Sequence, residues 1–218
     1  MPPYTVVMRQ LAVALTLALA CLGLTQGDFM GLQRSMMTAP SNLLQTPDFR
    51  NDLKLDKEQS KTVNDILKEH RKRTDEISKT MQGGNAAGLG GFRALQEMNA
   101  ETDKRILALL SSEQSARLRQ LQWQCLGYRA LYEEDLQKKV GITEEQLAKL
   151  HDFQAGESGR MLEAMRGGGA GAASGIKKVR QESEKTVLGL LTAEQLISLK
   201  AALGKELKAA KRMSESMV

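Results

Sequence analysis

The chain has 218 residues, with 31 Lys and Arg against 26 Asp and Glu, two His, two Cys and 4% aromatic residues. A net charge of +5 carried on mixed-sign runs such as Lys68-Glu69-His70-Arg71-Lys72-Arg73-Thr74-Asp75-Glu76 describes solvated helix faces, not a nucleic-acid groove. Few aromatics, no strand-like alternation and long Glu-, Lys-, Gln- and Leu-rich runs predict an all-α protein without a thick central core.

Residues 1–27 read as an export signal. Arg9 is the only charge, and the apolar run from Leu11 to Leu24 is too short to span a bilayer. Cleavage after Ala20 or after Gly27 fits the small residues there. Ala18-Leu19-Ala20-Cys21 also resembles a bacterial lipobox, with alanine where leucine is usual, so lipid anchoring through Cys21 is the lesser alternative. An export signal predicts a periplasmic or otherwise exported protein. Loss of Cys21 with the signal leaves Cys125, between Leu121 and Leu126, as a small buried apolar residue without an internal disulfide partner. Residues 28–42 read as a linker.

Two copies of one unit follow, 43–126 and 127–210, and then a tail, 211–218. Four times an aliphatic residue precedes a capping residue that is followed three positions on by glutamine: Leu55-Asp56-Lys57-Glu58-Gln59, Leu110-Ser111-Ser112-Glu113-Gln114, Ile142-Thr143-Glu144-Glu145-Gln146 and Leu191-Thr192-Ala193-Glu194-Gln195. Each is a reciprocal capping box with a hydrophobic staple, which fixes four helix starts. Leu44 to Gln59 matches Leu131 to Gln146 at a constant offset of 87. Each copy holds a short leading segment (Thr46 to Leu53, Glu133 to Lys139), a first box, and a long arm. A glycine-rich stretch (Gly83 to Gly91, Gly167 to Gly175), a return arm and a second box complete it. The second copy is three residues shorter on both sides of its glycines, the matched shortening that two antiparallel arms need to stay in register. The expected architecture is therefore two tandem long helical hairpins with short flanking helices and glycine-rich tips.

In the first arm Val63, Leu67, His70, Thr74, Ile77 and Met81 form a coiled-coil-like seam facing Phe92, Leu95, Met98, Thr102, Ile106 and Leu109. In the second, Leu147, Leu150, Gln154, Glu157, Met161 and Met165 face Ile176, Val179, Ser183, Val187 and Leu190. Both seams are apolar at the ends and polar in the middle. Each copy closes with a helix opened by its second box, Ser111 to Leu126 and Thr192 to Ala210. Gly127 ends the first, and Trp123, Tyr128 and Tyr132 are expected to pack where the copies join.

Paired boxes at the two ends of a helical hairpin resemble the LTxxQ family of exported helical proteins, the Spy/CpxP-like group. Leu191-Thr192-Ala193-Glu194-Gln195 matches the pattern literally, and the others substitute Asp56, Ser111 and Ile142 while keeping the cap or staple chemistry. The resemblance implies two family units in tandem, a curved helical cradle formed by dimerisation, and ATP-independent chaperone or envelope-stress adaptor activity. The partners would be unfolded or envelope proteins, with weak membrane-surface contact and homodimerisation as further options. Arg71, Arg73, Ile77, Met81, Met161 and Met165 are the candidate client-binding residues, because slender arms leave apolar groups uncovered and methionine adapts to varied shapes. Some relatives bind or sense heavy metals, so a metal-responsive sensor is the alternative, and a helical scaffold is a third.

The residues themselves point away from metal and catalytic roles. His70 and His151 are not repeat-equivalent, no His-x-x-x-His or cysteine pair occurs, and the methionines at helical spacing read as packing surface. The box hydroxyls are committed to capping, and no strand precedes either glycine stretch as a phosphate-binding loop requires. No enzyme activity, cofactor or metal site is therefore expected.

Overall fold

A computed structural model describes residues 36–81, 85–166 and 169–216. The described residues form ten α-helices and no strand: α1 Pro40–Leu43, α2 Pro47–Asp52, α3 Lys57–Met81, α4 Asn85–Leu107, α5 Ser112–Leu126, α6 Glu134–Val140, α7 Glu144–Arg166, α8 Gly169–Leu188, α9 Ala193–Leu203 and α10 Lys208–Ser216. A 3-10 turn, Gly127–Tyr132, joins α5 to α6. The all-α expectation holds.

The long helices pair as the sequence spacing requires. Arg105 bonds Glu69 at 2.9 Å and Arg73 bonds Glu101 at 3.1 Å, so residue number rises along α3 as it falls along α4. Between them His70 Nε2 lies 2.8 Å from Asn99 Oδ1, a structural role for the seam histidine. In the second half the Gln146 amide donates to the Leu190 carbonyl at 2.7 Å, while far along the arms Gly175 comes against Ala164. The arms of the first half are longer, 25 and 23 residues against 23 and 20. Val63, Leu67, Met98, Thr102 and Ile106 are buried in one seam, and Leu150, Glu157, Met161, Ile176, Ser183 and Val187 in the other.

Two cores sit at the bases of the hairpins. The first gathers Leu43, Leu44, Phe49, Val63, Leu67, Ile106, Leu118, Leu121 and Cys125, and the second Trp123, Tyr128, Leu131, Leu136, Leu150, Val187 and Leu199. Helix α5 serves both. Its 118, 121 and 125 positions face one core and its 123 and 126 positions the other, so the halves share a helix. Trp123, Tyr128 and Tyr132 meet at this junction as expected.

Four expectations are corrected. The glycine-rich stretches are not loops over most of their length. Residues 85–91 and 169–175 lie inside α4 and α8, and the remaining glycines, 83, 84, 167 and 168, lie outside the described residues. A Cβ at Gly175 would lie 3.2 Å from Ala164 Cβ, so glycine there serves close approach of two helices, not chain reversal. Secondly, Thr192 to Ala210 is not one helix. The chain breaks at Gly204, whose φ is +65° and where a Cβ would meet Gln120 Oε1 at 2.4 Å.

Beyond that break the supposed tail is largely α10, which turns back onto α5 and delivers Ala209 and Ala210 to the first core. Gln124 receives it, donating to the Leu203 and Lys205 carbonyls at 2.7 and 2.8 Å and accepting from the Leu207 N–H at 2.9 Å. Arg117 adds a 2.6 Å pair with Asp52 and a 2.7 Å bond to the Lys205 carbonyl. Finally, the end of the linker is docked. Ser41 N–H donates to Asp103 at 2.8 Å, Gln122 donates to the Thr38 carbonyl at 2.9 Å, and Thr38 and Ser41 are buried. Proline at the first position opens α2 without any side-chain bond from Thr46.

Candidate functional site

Every predicted box forms. The backbone N–H of Gln59 reaches Asp56 Oδ1 at 2.7 Å, and those of Gln114, Gln146 and Gln195 reach the Ser111, Thr143 and Thr192 hydroxyls at 3.2 Å each. In return each glutamine Oε1 accepts from its own cap N–H at 2.9 to 3.1 Å. The staple residues Leu55 and Leu110 pack on the first core, and Ile142 and Leu191 on the second.

The boxes are also joined in pairs. Gln59 and Gln114 exchange amide hydrogen bonds at 2.9 and 3.0 Å, and Gln146 and Gln195 do so at 2.7 and 2.8 Å. The second amide hydrogen of each crosses to a carbonyl two residues ahead of the opposite cap. Gln59 reaches Leu109 at 2.8 Å, Gln114 reaches Lys54 at 3.5 Å, Gln146 reaches Leu190 at 2.7 Å and Gln195 reaches Gly141 at 2.7 Å. A primary amide has two donors and two acceptor sites. All four are used in each glutamine, and the result is a pseudo-twofold clasp at the base of each hairpin. Lys54 and Gly141, which supply equivalent carbonyls at the 87-residue offset, both take the left-handed conformation, φ 52° and 74°. Lys54 is the sole non-glycine described residue to do so. The clasps have no spare donor or acceptor, so their chemistry is structural: they lock the two ends of a hairpin to each other.

A buried polar centre lies in the second half. Glu157 accepts from the Tyr128 hydroxyl and from Arg129 at 3.1 Å, with Ser183 buried nearby in the seam. Burial pushes the Tyr128 phenol far above its ordinary range, so it stays a neutral donor to the carboxylate. Arg180, on α8, holds the end of α10 through the Ser214 and Glu215 carbonyls, and burial lowers its pKa. On α5, Arg119 forks onto Asp135 at 2.7 Å through two nitrogens, and its guanidinium holds that carboxyl below the usual aspartate value. Burial lifts the Cys125 thiol to about 12, which makes it inert and fits the apolar role read from sequence.

The candidate client-binding residues are not brought together. Arg71 is exposed, Arg73 is engaged by Glu101, Ile77 is half-buried, and the side chain of Met81 lies outside the described ones. Met161 is 3% exposed and belongs to the seam, which corrects its assignment to an open surface. Met165, one turn on, is 46% exposed, and Leu162 beside it 39%. One residue on, about 100° round the helix, Leu162 turns away from the seam, whereas Met165 lies only about 40° round from Met161 and is exposed because α7 ends at Arg166, so Leu162 was the position to choose. Among the described residues no group of three or more His, Cys, Asp or Glu is placed to hold a metal ion. Set against protein-family models, curated proteins and solved structures, the chain matches none of them.

Proposed function

We propose that this is an exported, ATP-independent chaperone-like or envelope-stress adaptor protein, which holds non-native proteins weakly on the outer faces of its hairpins and resembles the Spy/CpxP-like group in tandem form. The observation that carries the reading is the exposed pair Leu162 and Met165 toward the end of α7, with Leu162 turned away from the seam. A hairpin two helices thick has no third layer to cover that side, and Arg160 and Arg166, both exposed, flank it. Adaptable apolar contacts beside cations suit weak binding of varied, partly acidic chains without enclosure.

The test is suppression of aggregation of an unrelated unfolding protein, without nucleotide, by the wild type and by a Leu162→Ser, Met165→Ser double variant. The wild type should suppress with micromolar or weaker affinity that falls with salt, and the double variant should lose most of the effect at unchanged helicity. No suppression at excess protein refutes the reading. Tight stoichiometric uptake of Zn(II) or Cu(I) in its place would favour the metal-sensor alternative.

A further inference from the structure

The outer face of α9 is apolar and uncovered. Ala193, Leu196, Ile197, Lys200 and Ala201 follow at helical spacing and all are exposed, Ile197 at 71% and Leu196 at 41%. The opposite face carries Gln195, in the clasp, and Leu199, in the second core. Fold alone does not demand this. The counterpart helix α5 starts at an equivalent box 81 residues earlier, and there the matching positions are Ser112, Ser115, Ala116, Arg119 and Gln120. One half of the chain thus keeps a polar face where the other half has an apolar one.

We infer that this face of α9 is a docking site for an anionic lipid surface, an inference independent of the chaperone reading. Two observations select lipid over a second copy of the chain. The patch rests on two large side chains, far short of the about 800 Å² per partner that a standard protein interface buries. Lys200 stands at its centre, so a twofold contact across the patch would bring two like charges together, whereas on an anionic surface the same lysine snorkels to the head groups. The face itself carries one charge, Lys200, and Glu194 stands about 90° round the helix from its middle. At 11 residues α9 is too short to cross a bilayer, and although α8 and α9 together have the length and composition for a span, they meet at a bend of 115°, so the helix lies along the surface.

The experiment uses the full chain with a reporter tryptophan in place of Ile197 (Ile197→Trp) or of its counterpart on α5 (Ala116→Trp). Native Trp123 is buried and supplies a constant background. Vesicles of phosphatidylcholine with phosphatidylglycerol should shift the emission of Ile197→Trp to the blue and leave Ala116→Trp unchanged. Lys200→Glu in the reporter background should weaken the vesicle affinity about tenfold, within the gain expected when a repelled charge replaces an attracted one near an anionic surface. Binding through the apolar leader alone would shift neither reporter, and that result overturns the proposal. Equal shifts at both positions overturn it too. A blue shift of Ile197→Trp that grows with protein concentration without vesicles, together with a doubled mass, would assign the face to a second copy instead.

Discussion

Removing Gln195 tests whether the boxes are four separate caps or two clasps. The side chain makes four bonds: from the Thr192 N–H, from the Gln146 amide, to Gln146 Oε1 and to the Gly141 carbonyl. At about 1 kcal/mol net for each, with the partial exposure of the site holding the total below the simple sum, Gln195→Ala should cost about 2–4 kcal/mol. Thr192→Ala removes a single cap bond and should cost about 1 kcal/mol. Gln146→Ala should resemble Gln195→Ala, and the double variant is the decisive one. Two of the four bonds are shared, so the single-variant costs count them twice, and the double variant should be about 1–2 kcal/mol more stable than additivity predicts. Urea unfolding followed by far-ultraviolet circular dichroism measures the wild type and the four variants. Additivity within about 0.5 kcal/mol would mean that the glutamines act only on their own helices, and the clasp would carry no energy.

Gly204→Ala should destabilise by more than about 1 kcal/mol, because it forces a side chain into the left-handed region and against Gln120, whereas Gly90→Ala, at an open helical position, should stabilise by about 0.5–1 kcal/mol; paired thermal melts read the opposite signs. Asp135→Asn should lower stability at neutral pH by at most about 1 kcal/mol, since the Arg119 pair is partly exposed and screened by solvent. The folded carboxyl titrates below its unfolded value of about 3.8, so the contribution is present above that pH and is lost as the pH falls through the folded pKa. The wild type and Asp135→Asn should therefore converge in acid, and a gap that persists or widens there would contradict the assignment.

Much of the secondary structure was legible because its signals are local. A cap oxygen and a glutamine three residues apart fix a helix start, and a heptad seam fixes a face, which is why the positions of Val63, Leu67, Leu150 and Glu157 were read correctly. The clasp was not legible, because the bonds that make it join residues 49 and 55 positions apart, and a glutamine satisfied by its own box looks complete. The glycine stretches misled for a related reason. Glycine marks turns and close helix approach equally, and only the placement of Ala164 decides for Gly175. The return of α10 depended on a single residue, Gly204, set in an apolar run that otherwise continues as a helix.

That return has a consequence for the order in which the protein can be completed. Ala209 and Ala210 belong to the same core as Leu43 and Leu44, which precede both long hairpins in the chain. A chain still being made can form the long helices of the first half but cannot seal their base until α10 has emerged. The half that emerges first is thus the half that finishes last. Removing α10 would open the core of the first half.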